Sequence, residues 1–204
     1  MLIEIVSWIA VGLIFTSSTT MLIINRDWRI SLGALALQYV AVFWLVTLHL
    51  PFVMGSAKLI TGWMVVATLG MTRLGISTPE NDTEQFSLLH GGWYRLILMS
   101  VVALVTFGVT TRIEAIIPGL GLPVIAGGLF LIGAGVVHLG VTSDLLHIIL
   151  GLLTALSGFE VLYAAVESSI LVTGFLSVVS LGLGLVGSYL LLAGSLPSET
   201  ENEG

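Results

Sequence analysis

Seven runs of about twenty apolar residues limit what this chain can fold into more than anything else it carries. They cover residues 2–24, 29–49, 52–72, 93–111, 120–140, 145–166 and 169–193. Each is long enough to cross the ~30 Å hydrocarbon core of a bilayer as an α-helix. A helix pairs every backbone N–H and C=O within itself, which lipid requires. A transmembrane β-barrel would show segments of alternating polarity, and none are present. Composition agrees, since 56% of residues are hydrophobic and only 9% charged, against about 25% charged in soluble domains. The expected fold is all-α: a polytopic transmembrane bundle of about seven helices.

The closest break falls at "HLPFVMG", where Pro51 pushes the residue before it out of the helical region. Without that break, two spans would merge into one too long for a single crossing. The long polar connection "RLGISTPENDTEQFSLLHGGWYR" separates a three-helix part, residues 1–72, from a four-helix part, residues 93–193. Residues 73–92 form the polar loop, and 194–204 read as an acidic tail carrying Glu199, Glu201 and Glu203. No internal repeat stands out. The first run has no basic segment before it, so it reads as a retained helix rather than a cleaved signal.

Arg26, Arg29, Arg73 and Arg95 fall on one side of the expected topology, and Arg112 on the other. The positive-inside rule then places the N-terminus outside and the C-terminus in the cytoplasm. The expected location is a cell inner membrane. The chain lacks cysteine, which excludes disulfides, thiolate metal sites and Cys-ligated clusters. No motif for a cofactor is present, and none is expected. The net charge is −6 with no basic patch, so nucleic acid is not an expected partner. The expected partners are the lipid bilayer and other integral membrane subunits.

Few ionisable groups lie inside the spans, where each costs about 3 kcal/mol on insertion scales. Glu160 sits deep in "GLLTALSGFEVLYAAVESS", about 9 Å short of the outer end by helix rise. Such a carboxyl must be protonated, paired, or turned to a wet cavity; it serves a proton path or satisfies a buried donor. Lys58, the sole lysine, lies about 9 Å into its helix from the same side. It either pairs with Glu160, shares a hydrated polar track with it, or snorkels to the interface. Glu167 shares Glu160's helix face and could act as a relay, but the turn that follows also suits it to capping.

Asp144 precedes His147 by one turn, with Ser143 the expected N-cap. His138 and His147 fall near helix ends on the cytoplasmic side, and His90 in the loop there. Interfacial histidines and a cap explain this cluster, with haem ligation the alternative. Gln38 reads as a hydrogen bond between helices. The glycines crowding "AGGLFLIGAG" and "LGLGLVGSYL" read as close helix packing, not as a phosphate loop.

The stretch "GGLFLIGAGVVHLGVTSDLLHIILGLLTALSGFEVLYAAVESSILVTGFLSVVSLGLGLVGSYLLL" resembles the K-type small membrane subunit of complex I. It is also similar to the related small subunits of membrane-bound hydrogenases and cation/proton antiporters. The shared features are a glycine-rich helix, a short polar turn, a Gly151-Leu152 pair opening the next helix, and a glutamate within it. The family glutamate would fall at Leu153 in complex I, and near Leu156 or Ser157 in the hydrogenase type. Glu160 lies one or two turns beyond. The second family glutamate has no counterpart in residues 169–193.

The resemblance implies a subunit of a complex I-like ion-translocating assembly, with Glu160 in a proton pathway, Lys58 its internal partner, and no catalytic centre of its own. The alternative is a structural or assembly subunit of another bioenergetic complex. A stand-alone solute carrier would need clear repeats and broken helices, which are not evident.

Overall fold

A computed structural model describes residues 1–23, 27–76, 92–167 and 169–195. Arg26, His90, Glu199, Glu201 and Glu203 lie outside these, as does most of the polar loop. The described chain forms seven α-helices: α1 (Leu2–Ile23), α2 (Trp28–Thr47), α3 (Phe52–Gly75), α4 (Gly92–Ile116), α5 (Leu122–Val141), α6 (Leu145–Val166) and α7 (Ile170–Ala193). All seven are long and apolar enough to cross a membrane. The chain is a multi-pass α-helical membrane protein.

The expected break at Pro51 is present. Helix α2 stops at Thr47, and Pro51 stands as the N-cap of α3, where its missing N–H costs nothing. Helix α4 runs five residues further than its apolar run, through Arg112 and Glu114. Glu114 explains the extension. Its carboxylate accepts from the backbone N–H of Gly119 at 3.3 Å and of Gly121 at 3.1 Å, which folds the next turn back onto the helix end. Both glycines have positive φ, +102° and +84°, a region closed to most side chains.

Helices α1, α2 and α3 pack side by side in chain order, as do α5, α6 and α7. The two layers then stack, α1 on α5, α2 on α6 and α3 on α7, with α4 against α5 and the edge of α1. The long loop therefore divides the chain in sequence while the two parts share one core. Ile14, Leu45, Phe130, Leu131 and Val161 fill one half of that core; Leu35, Leu69, Leu150 and Leu153 fill the other. Hydrogen bonds from Ser31 to His147 and from Gln38 to Thr154 both join α2 to α6 at an offset of 116 residues. A constant offset means that the two helices run parallel and in register.

Lipid gives helices no hydrophobic reason to associate, so close backbone approach matters more. The α5–α6 seam supplies it through glycine. A Cβ added to Gly158 would stand 2.6 Å from the Gly128 carbonyl oxygen, and one on Gly135 would stand 2.7 Å from that of Gly151. The pairs 128/158 and 135/151 define an antiparallel register. Around Gly174, by contrast, nothing lies within 4 Å of such a Cβ. Gly135→Ala and Gly158→Ala should each destabilise the detergent-solubilised protein by about 1–3 kcal/mol, the usual range for overpacking. Gly174→Ala should not. Equal thermal unfolding midpoints for all three variants would contradict this account of the seam.

Candidate functional site

Burial in an apolar bundle leaves a charged group one economical solution, an opposite charge at contact distance. Lys58 of α3 and Glu160 of α6 adopt it: Nζ of Lys58 pairs with Oε1 of Glu160. Their helices start and end at the same rim, and both residues sit about 9–10 Å below it by helix rise. Lys58 is 5% exposed and Glu160 3% exposed, so the lysine does not snorkel to the surface. Ser180 of α7 adds a third element, its hydroxyl lying 3.2 Å from the same Glu160 oxygen and 3.0 Å from the Leu176 carbonyl. The cluster thus ties α3, α6 and α7 together at one point.

Tyr39 of α2 closes the fourth side. Its ring lies flat over Gly62, one turn beyond Lys58 on α3, where an added Cβ would stand 2.5 Å from the ring. Its hydroxyl is buried, with the Ser157 side chain as its hydrogen-bonding neighbour and Glu160 within electrostatic reach.

Two polar rows converge on this cluster. One descends α7 from the nearer rim. Thr173 bonds the Ser169 carbonyl at 3.1 Å, Ser177 bonds the Thr173 carbonyl at 2.9 Å, and Ser180 follows beside Glu160. The other winds around α6 from the far rim through His147, Thr154 and Ser157, all buried. His147 pairs with Ser31, and Thr154 accepts from the Gln38 amide at 3.3 Å. Gln38 in turn accepts from Ser18 of α1 at 3.2 Å. Gln38 is therefore a bond between helices, and it joins three of them.

The remaining sequence candidates fall elsewhere. Glu167 is exposed at the C-cap of α6, its N–H bonded to the Tyr163 carbonyl, and the structure does not bring it to Glu160. Asp144, not Ser143, is the N-cap residue of α6. Its carboxylate accepts from Nδ1 of His147 at 2.7 Å. His138 and His147 lie at the ends of α5 and α6, as expected, and are buried there against neighbouring helices. His138 gives its Nδ1–H to the Ala134 carbonyl at 3.1 Å, so both imidazoles are held by their own helix ends. Among the described residues, no three acidic or histidine side chains gather closely enough to hold a metal ion. Arg95, expected at the edge of the loop, is buried in α4 and donates to the Leu22 carbonyl at 2.8 Å, covering the end of α1.

A cavity of about 470 Å³ lies between α1, α4 and α5, lined by Trp8, Phe15, Phe107 and Phe130 among others. It lies away from the ion pair and is lined almost wholly by apolar atoms, so it suits a hydrocarbon chain and not an ion. The sequence alone does not single out Tyr39, Ser180, Thr154, Ser157, Ser18 or Ser31. Only Ser180 carries a signal, its spacing: hydroxyls at i, i+4, i+8 and i+11 from Ser169 share one helix face.

Removing one partner of a buried pair should cost about 3–5 kcal/mol, because it strands the other charge. Lys58→Met and Glu160→Gln should therefore each destabilise the protein, and the double variant should lose far less than their sum. Additive losses in thermal unfolding would show that the two groups do not interact. The bond from His147 holds the Asp144 carboxyl below its usual range, with burial opposing. Its stabilisation is thus present above the ordinary carboxylate pKa and is lost as pH falls through the lowered value. Asp144→Asn should flatten the acid side of the stability–pH curve, and an unchanged curve would remove this contribution. Comparison with family models, curated proteins and solved structures returned no match, so function rests on the geometry of the pair.

Proposed function

We propose that the chain is an integral membrane subunit of a complex I-like or hydrogenase/antiporter-like ion-translocating assembly. In it, Glu160 exchanges protons at the point where the two polar rows meet. The observation that carries this reading is the buried Lys58–Glu160 pair, joined by Ser180 of a third helix. A pair serving stability alone needs no polar rows leading to it from both rims, and apolar residues of similar volume would hold the bundle as well. Ionisable groups within spans are as a rule parts of ion or proton routes.

Chemically, the pair is a two-position switch. With Lys58 at contact, Glu160 stays ionised; when the ammonium swings away, the carboxylate is left in an apolar site and takes up a proton. Ser180 and the Tyr39 hydroxyl offer hydrogen bonds to either form. A neighbouring subunit that attracts or repels Lys58 would therefore load or unload Glu160. The resemblance of α5–α7 to the K-type small subunits supports this assignment, as does their shared placement of an acid within the middle helix. The orientation follows from the arginines, with the Asp144 rim cytoplasmic and the membrane an inner one.

Mild detergent extraction of a tagged chain should bring large antiporter-like subunits with it. In the reconstituted assembly, Glu160→Gln should cut proton translocation at least ten-fold while the subunits remain associated. Full translocation in an intact Glu160→Gln assembly would reduce the pair to a packing element and favour a structural or assembly role.

A further inference from the structure

A buried carboxyl exchanges protons no faster than the groups between it and water permit, so the far end of the α6 row becomes decisive. There three side chains stand in line. The Asp144 carboxylate is about half exposed at the rim and accepts from Nδ1 of His147 at 2.7 Å. His147 is buried, and its Nε2 lies 3.2 Å from the Ser31 hydroxyl of α2, itself fully buried. Because a carboxylate only accepts, Nδ1 carries the hydrogen and Nε2 presents its lone pair to Ser31.

We propose that Asp144, His147 and Ser31 form the proton port of this chain, and that Leu35 and Leu150 close it from the buried pair. The proposal rests on the reading of Glu160 as a proton-exchanging group. From the observed tautomer the relay runs outward: the Nδ1 proton passes to Asp144 and on to water at the rim, while Nε2 takes the Ser31 proton and the Ser31 oxygen takes one from a water on its inner side. One proton enters the relay and one leaves, and His147 ends with its hydrogen on Nε2. The reverse sequence carries a proton inward and restores the hydrogen to Nδ1.

The next polar rung, Gln38–Thr154, is seven residues further along both helices, about 10 Å by helix rise. Leu35 and Leu150 occupy the faces between the rungs, fully buried in one apolar cluster. A proton therefore crosses only when α2 and α6 part enough to admit water. Other charges face the port from each neighbouring element. Arg73 of α3 acts on Asp144. His138 of α5 lies within reach of His147 and of Arg95 on α4. Asp27, the N-cap of α2, accepts from Ser31 through its carbonyl at 3.4 Å.

The test uses the full chain in vesicles captured through a C-terminal tag, so that the Asp144 rim faces an imposed pH jump. Glu160 protonation is followed by time-resolved infrared absorption, its band assigned by disappearance in Glu160→Gln. His147→Gln should slow the response at least ten-fold while leaving the final level unchanged, and added imidazole should restore part of the rate. Leu150→Thr should quicken it several-fold. Ser31→Ala, which removes a single oxygen, should slow it in the same sense and serves if His147→Gln does not fold. A residue that merely held the fold would move the final level and ignore imidazole. Wild-type rates in both His147→Gln and Ser31→Ala, with the Glu160 band intact, would overturn the port and leave Glu160 as an exchanging group. A wild-type spectrum with no Glu160 band across the pH range would overturn both together.

Discussion

A carboxylate and an ammonium in an apolar interior are tolerable only at contact, and the lower half of this bundle is arranged around meeting that demand. Lys58 reaches Glu160 because α3 lies beside α7 and close to α6, and α3 lies there because glycines admit its neighbours. Tyr39 fits over Gly62, and Val65 against Gly184 of α7. Replace either glycine with a larger residue and the helices carrying the two charges must separate. The glycine-rich helices and the ion pair are thus one structural fact. The glycines set the distances at which the charges can neutralise each other.

The seven helices were legible because lipid leaves so few solutions to the backbone, and Pro51 marked the one break that length alone could not locate. Depth was legible too. Counting residues from the helix ends placed Lys58 and Glu160 at one level, while only the fold could place them on facing sides. The partners of Glu160 were harder to see. Ser180 and Tyr39 look like ordinary span residues, and their importance depends on which helices stack, α3 on α7 and α2 on α6. Nothing in an apolar pattern specifies that stacking. The histidines were legible in level but not in surroundings: His147 lies in the first turn of α6, and its burial follows from the hydrogen bonds that Asp144 and Ser31 supply. Likewise Arg95 reads as a loop charge in sequence and serves as a cap on α1 in space.

Polar groups lie on both sides of the pair. On one side, hydroxyls of α7 run to the nearer rim at helical spacing. On the other, the α2–α6 rungs are separated by leucines. In the proposed role, opening both rows at once would short-circuit the membrane, and the leucines would prevent it. α7 carries no acid, and among the described residues Lys58 is the charge that faces Glu160.

All of this depends on contact between one lysine and one glutamate, and the sequence makes that contact unusually accessible. Lys58 is the chain's sole lysine, so ¹⁵N labelling at lysine Nζ yields a single nitrogen signal. Solid-state NMR in lipid bilayers, with ¹³C at the glutamate carboxyl carbons, measures the dipolar coupling between that nitrogen and any nearby carboxylate. Strong dephasing of the Lys58 signal that disappears in Glu160→Gln is the expected result. A Lys58 nitrogen that shows no coupling to any glutamate carboxyl would contradict the account at its centre.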